Sequence, residues 1–158
     1  MSQIAQGKIE GVRYKKLVRH ADERGFFSEI ARDDENLVSK FGQLSMSKTL
    51  PGVIKAFHYH KKQDDIWFFP RGTARVVLHD LREDSKTKGA TETYIMGEDN
   101  PGTLLIPKGV AHGYQVLGSE PVIITYLTTE SYDPANPDEE RLEWDDPGIG
   151  FDWSIKNR

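Results

Sequence analysis

Short segments rich in Val, Ile, Thr, Tyr and Phe recur along the chain about every ten residues, separated by clusters of Gly, Pro and Asp. They fall near Glu10–Val18, Gly25–Ala31, Gln43–Thr49, Val53–Tyr59, Asp65–Phe69, Thr73–Asp80, Thr91–Met96, Thr103–Ile106, His112–Leu117 and Pro121–Thr128. Successive side chains of a strand point to opposite faces, so such segments with regular turns between them predict an antiparallel barrel or sandwich. One stretch carries helical spacing instead. Asp33 stands in a capping position, Leu37, Val38 and Phe41 share a face, and Gly42 can close it, so one short helix is expected there. From Ser131 the pattern changes, because Pro134, Pro137 and Pro147 interrupt it and Glu139, Glu140, Arg141 and Glu143 make it polar. Residues 131–158 are expected to wrap the outside or mouth of a single domain spanning 1–158, fastened by the rings of Trp144, Phe151 and Trp153.

Composition narrows the function classes. A chain of 158 residues, 37% hydrophobic and 29% charged, can bury a core that stands without disulfides or a structural metal, so any metal here would be functional. The absence of cysteine excludes thiol nucleophiles, thiolate zinc sites and iron–sulfur clusters. A net charge of −4 gives no footprint for nucleic acid, while a local basic pocket for a phosphorylated small molecule stays compatible with it. The start, MSQIAQGKIEGVRYKK, lacks the apolar stretch of a signal peptide, and the apolar run Val122–Leu127 is too short to span a bilayer. A soluble cytoplasmic protein without a membrane partner is the expectation.

The chemistry concentrates between Gly52 and Gly72. His58 and His60, two apart on a strand, project to one face, expected to be the barrel interior together with Ile54 and Ala56. Asp65 opens the returning strand, near enough to converge on both imidazoles. A second stretch, Gly102 to His112, uses the Pro107-Lys-Gly109 turn to deliver another histidine to the start of a strand. Imidazoles and a carboxylate gathered in an apolar barrel are costly to desolvate unless they serve a ligand, which separates His58, His60 and His112 from His20 and His79, read as core or surface residues.

These two stretches resemble the paired motifs of the cupin superfamily: glycine, five residues, His-x-His, four residues, an acid, six residues, glycine, and later Pro-x-Gly-x-x-His. The resemblance implies an all-β fold, a cupin or jelly-roll antiparallel β-barrel with one short helix. Further motifs, in order, resemble a narrower family. They are Asp22-Glu-Arg24-Gly-Phe26-Phe-Ser-Glu29, Gly52-Val-Ile-Lys-Ala-Phe-His58-Tyr, Asp80-Leu-Arg82, Ile106-Pro-Lys-Gly-Val-Ala-His112-Gly-Tyr, Tyr126 through Ser131-Tyr132-Asp-Pro134, Trp144-Asp-Asp-Pro147 and Asp152-Trp153. That family is the dTDP-4-dehydrorhamnose 3,5-epimerases and related nucleotide-sugar epimerases.

The resemblance implies an isomerase that moves protons beside the ketone of a nucleotide-linked 4-keto-6-deoxy sugar, in surface polysaccharide or deoxysugar biosynthesis. It assigns His58 as general base and Tyr132 as the acid on the opposite face. It places Arg24 and Lys55 on the diphosphate, Glu29 and Gln43 at the nucleotide end, and Phe26 against the base, with His112 and Tyr126 also in the substrate pocket. No cofactor is required in this reading. It further implies a homodimer, for which the polar stretch Lys8–His20 is the candidate pairing segment.

Four positions depart from the family. Asp65 stands where register puts an enolate-steadying Lys, His60 where Gln is usual, Lys55 for an Arg and Ser45 for an Asn. The chain reaches Arg158 without the longer tail that supplies an Asp partner to the catalytic histidine, so His58 is expected to find its partner elsewhere. Gaining His60 and Asp65 while losing a cation suggests a second reading, in which His58, His60, Asp65 and His112 hold a divalent metal (Fe, Mn, Ni or Zn) as Lewis acid. In that reading the reaction is metal-dependent, a dioxygenation or an isomerisation of a free sugar. A third reading keeps the pocket as a non-catalytic sugar-binding module.

Overall fold

Strand after strand in this chain carries one apolar face, and the computed structural model, which describes residues 3–156, buries those faces between two sheets. The first sheet has the order β1-β2-β10-β7-β12-β5, from Ile4–Gln6 (β1), Arg13–Lys16 (β2), Gly102–Ile106 (β10), Asp65–Arg71 (β7), Val122–Thr128 (β12) and Gln43–Thr49 (β5). The second has the order β13-β6-β11-β8-β9, from Glu140–Arg141 (β13), Ile54–Tyr59 (β6), Val110–Leu117 (β11), Thr73–Asp80 (β8) and Thr91–Gly97 (β9). A separate hairpin joins His20–Asp22 (β3) to Gly25–Phe27 (β4). All pairings are antiparallel, as the jelly-roll expectation requires.

The main core fills the space between the sheets. Trp67, Phe69, Leu104 and Ile124 from the first meet Val76, Leu78, Met96 and Val116 from the second, all 5% exposed or less. The outer face of the second sheet is covered too, because Phe57, Val77 and Ala111 pack against Trp153. The rings of Trp153 and Phe57 meet tilted, with centroids 5.6 Å apart, and the Trp153 indole N–H donates to the Trp144 carbonyl at 2.8 Å. Burying a ring of this size stabilises by about 2–3 kcal/mol. Residues 131–139 thus border the cavity, Glu140–Arg141 pair at the edge of the second sheet, and the chain from Leu142 on lies across its outer face, held by Trp153 and Phe151, while Trp144 stays half exposed.

Three local expectations are corrected. The helix is only a 3-10 turn, Asp33–Glu35, capped from Arg32 and ended by the left-handed Asn36. A tertiary ion pair overrides helical spacing here: the fully buried Lys15 ammonium donates to Glu35 Oε2 at 2.8 Å, and Leu37 sinks into the structure alone. Lys8–His20 does not offer a free pairing strand, since β2 is bonded on one side to β1 and on the other to β10. On β6 the side-chain alternation breaks. His58 pairs with His112 but Lys55 pairs with Tyr114, so one extra residue sits on β6 as a bulge. Ile54 and Ala56 consequently pack on the outer cluster, and Lys55 shares the inner face with His58. A Cβ at Gly113 would stand 2.3 Å from the Ala56 Cβ, so this crossing of strands requires glycine.

Candidate active site

A cavity of about 890 Å³ opens between the sheets, at the end where β6 and β12 finish and β5, β7 and β11 begin. Its wall from the second sheet carries Lys55, His58, His60 and His112; its wall from the first carries Gln43, Asp65 and Tyr126, with Tyr132 on the chain following β12. The bulge in β6 is what brings Lys55 and the histidines to one surface. Burial differs sharply within this group. Asp65 and His112 are 5% and 2% exposed at the floor, while Tyr132, 62% exposed, stands at the rim.

His58 lies on the wall with its Nδ1 buried and without a hydrogen-bond partner, Glu139 Oε1 being 3.3 Å away. Burial holds its imidazole below the ordinary histidine value, against the opposing pull of the Glu139 charge. It is therefore neutral near pH 7, the form in which an imidazole accepts a proton. The tyrosine opposite is placed through its backbone, since the Tyr132 N–H donates to Gln43 Oε1 at 3.0 Å. The Gln43 amide in turn donates to Ser45 Oγ at 2.9 Å.

The floor is organised around Asp65. Gln63 Nε2 donates to its Oδ1 at 2.9 Å and the Trp67 indole donates to Oδ2 at 3.1 Å. His60 Nε2 lies 3.6 Å from Oδ1 and His112 Nε2 lies 3.7 Å from Oδ2. Burial alone would raise the Asp65 carboxyl, yet the two imidazoles and Gln63 hold it down at about 2. Burial would likewise lower His60, but the Asp65 charge and the Asp138 carbonyl outweigh it and raise the ring above its usual value. At His112 burial wins, and the ring is pushed down to about 4.

Three residues assigned to substrate by resemblance stand elsewhere. Arg24 is 84% exposed on the β3–β4 hairpin and pairs with Asp22, Phe26 lies under the Arg19 guanidinium at 4.6 Å, and Glu29 pairs with Arg32 at 2.9 Å. None of them lines this chain's cavity. Two acids that sequence reading passed over do line it. Asp138 accepts the backbone N–H groups of Lys61, Lys62 and Gln63 at 2.8–3.1 Å, fixing the loop after His60, and Glu139 faces His58. Their signal was the acidic run 138–140 within a segment that returns to the mouth.

The profile of the family described as dTDP-4-dehydrorhamnose 3,5-epimerase matches residues 6–158. The spore coat polysaccharide biosynthesis protein SpsL of Bacillus subtilis is 67% identical over 150 residues, 95% of this chain and 99% of that protein. The dTDP-4-dehydrorhamnose 3,5-epimerase of Methanothermobacter thermautotrophicus is 33% identical over 143 residues, covering 87% and 76% of the two chains. A solved structure of the Legionella pneumophila dTDP-6-deoxy-D-glucose-3,5-epimerase RmlC, in complex with dTDP-4-keto-L-rhamnose, superposes with a TM-score of 0.87 at 27% identity, over 100% of this chain and 86% of that one.

Proposed function

The chain belongs to the dTDP-4-dehydrorhamnose 3,5-epimerase family, and from that premise we propose that it epimerises a nucleotide-linked 4-keto-6-deoxy sugar at one or both carbons beside the ketone. The observation that carries this reading is the pairing of a base and an acid across one cavity. His58 stands on the wall from one sheet, neutral and half-buried, and Tyr132 on chain that leaves the other. A ketone acidifies its neighbouring C–H, a neutral imidazole takes that proton, and a phenol returns one from the far side, which inverts the carbon. Lys55 supplies a cation on the same wall for the diphosphate, and Gln43 binds at the nucleotide end.

Inversion needs no redox step, since a proton leaves one face of the carbon and one returns to the other. The likeness to a spore coat polysaccharide biosynthesis protein supports a role in making a surface polysaccharide. The cytoplasm is the proposed compartment, since nucleotide-activated sugars are built there; among the described residues no helix is long and apolar enough to cross a membrane. A homodimer belongs to the same reading. Phe26 and Phe27 on the β3–β4 hairpin, and separately Leu44 and Met46 on the edge strand β5, are more than 60% exposed, apolar groups that a second copy would cover.

Proton NMR of dTDP-4-keto-6-deoxyglucose in heavy water with the purified protein tests the reading. Deuterium should enter at C3, C5 or both, and His58→Asn should slow it by about 1,000-fold, as loss of a general base does. Absence of exchange with every nucleotide-linked 4-keto sugar tried would overturn it.

A further inference from the structure

At the cavity floor two imidazole nitrogens converge on one carboxylate. One ligand atom from each of His60, Asp65 and His112 lies within 4.8 Å of the others, and all three side chains are buried. The remaining ring nitrogens are already engaged. His60 Nδ1 meets the Asp138 carbonyl and His112 Nδ1 meets the Val110 carbonyl, the latter at 2.9 Å. A carbonyl only accepts, so each Nδ1 carries the hydrogen and each Nε2 of a neutral ring presents its lone pair to Asp65.

Asp65 is just as firmly aimed, by the Gln63 amide and the Trp67 indole. Two lone pairs thus face two carboxylate oxygens at 3.6 and 3.7 Å in a water-poor floor. A proton on His60 would answer one of these contacts and leave His112 Nε2 still facing Oδ2. A divalent ion answers both. Nitrogen and oxygen ligands held about 2.1 Å from an ion stand roughly 3.0–3.4 Å apart, so the observed contacts need to close by only a few tenths of an ångström.

We propose that His60, Asp65 and His112 form a two-histidine, one-carboxylate site for a divalent transition-metal ion, with His58 outside the ligand set. The mixed nitrogen and oxygen donors suit Mn, Fe, Co, Ni or Zn rather than the all-oxygen preference of Mg or Ca. Three protein ligands leave coordination positions open toward the cavity. His58 keeps its own contact, with Glu139, and so stays available as a base beside the ion. When bound, the ion supplies positive charge next to the substrate's ketone oxygen; this role, unlike the site itself, rests on the epimerase reading.

Chelator-stripped protein titrated with Co²⁺ alone, followed by calorimetry and by the visible absorption of the ion, tests the site without any substrate. One ion per chain is expected, with affinity falling roughly 100-fold in both His60→Gln and Asp65→Asn and unchanged in His58→Asn. Circular dichroism and melting curves of each variant confirm that it is folded. No saturable uptake by the folded wild-type protein up to about 1 mM overturns the site, as does wild-type affinity in both ligand variants. A loss in His58→Asn equal to that in His60→Gln overturns the three-residue set. Deuterium exchange that is the same in stripped and Co²⁺-loaded enzyme overturns the ion's role at the ketone, whereas exchange in neither sample, with Co²⁺ bound, counts against the epimerase reading.

Discussion

Two aspartates are buried in this sandwich, and their surroundings are opposite. Asp80, 1% exposed at the end of β8, accepts five hydrogen bonds: from Arg82 N, Nε and Nη2, from Ser85 Oγ and from Thr87 Oγ1, all at 2.5–3.1 Å. Asp65, 5% exposed at the start of β7, accepts two, and its remaining lone pairs face histidine nitrogens. A buried carboxylate surrounded by donors closes a turn. One that keeps only two such donors and faces two titratable imidazoles is costly to keep and is held for something that arrives from outside.

The largest effect that separates them is on turnover. Asp65→Asn should lower the rate of solvent exchange into substrate by about 100- to 1,000-fold, roughly 3–4 kcal/mol, because the charge opposite the developing negative oxygen goes with the ion it holds. Asp80→Asn should leave that rate unchanged per folded molecule. If both variants lose activity alike, the contrast between the two sites is wrong. On stability the order reverses: Asp80→Asn should cost about 3 kcal/mol, read as a lower urea midpoint with unchanged slope, since it strands donors of Arg82, Ser85 and Thr87.

Ligand-linked stability gives a third separation. Co²⁺ at 100 times its dissociation constant should stabilise wild type and Asp80→Asn by about 2.7 kcal/mol, and Asp65→Asn hardly at all, in paired melts with and without the ion. A fourth test, of the Asp80 turn itself, comes from pH. Although burial alone would raise Asp80, the hydrogen bonds from Arg82, Ser85 and Thr87 hold its carboxyl well below the usual value. A folded-state value below the unfolded one gives stability that is complete above about pH 4 and is lost as pH falls further. Urea midpoints measured from pH 6 down to pH 3 should therefore slope less in Asp80→Asn than in wild type.

How much of this was legible in the sequence follows from which forces are local. The spacing of Thr73–Asp80 and Gln43–Thr49 predicted strands that the structure reproduces to the residue; the first lies between β11 and β9 over the core, while the second is an edge strand whose Leu44 and Met46 face outward. The His-x-His and Pro-x-Gly spacing already points His60, Asp65 and His112 to one place, and the structure gathers them at one cavity floor. What failed depended on distant partners. The helix at Asp33 gave way to an ion pair with Lys15 from a strand twenty residues earlier, and the side-chain phase of β6 changed at a bulge that only pairing with Gly113 reveals. Arg24, Phe26 and Glu29 rest on resemblance alone, and within one chain they lie outside the cavity.

Glu139 was invisible for the same reason, and it gives the smallest and most discriminating effect. It sits on a returning segment whose sequence reads only as polar, yet it faces His58 Nδ1 at 3.3 Å while Arg141 holds its other oxygen at 3.1 Å. A carboxylate there favours hydrogen on Nδ1, which leaves Nε2 as the nitrogen that can accept a proton and steadies the imidazolium formed once it has done so. Glu139→Gln keeps size and a hydrogen-bond acceptor but removes the charge, so kcat should fall about 10-fold, near 1.4 kcal/mol, with KM unchanged. Glu139→Asp should recover part of the loss. Because Asp138, not Glu139, clamps the loop after His60, Co²⁺ affinity should stay at the wild-type value. If KM rises instead and kcat holds, Glu139 binds substrate, and His58 keeps its tautomer by some other contact.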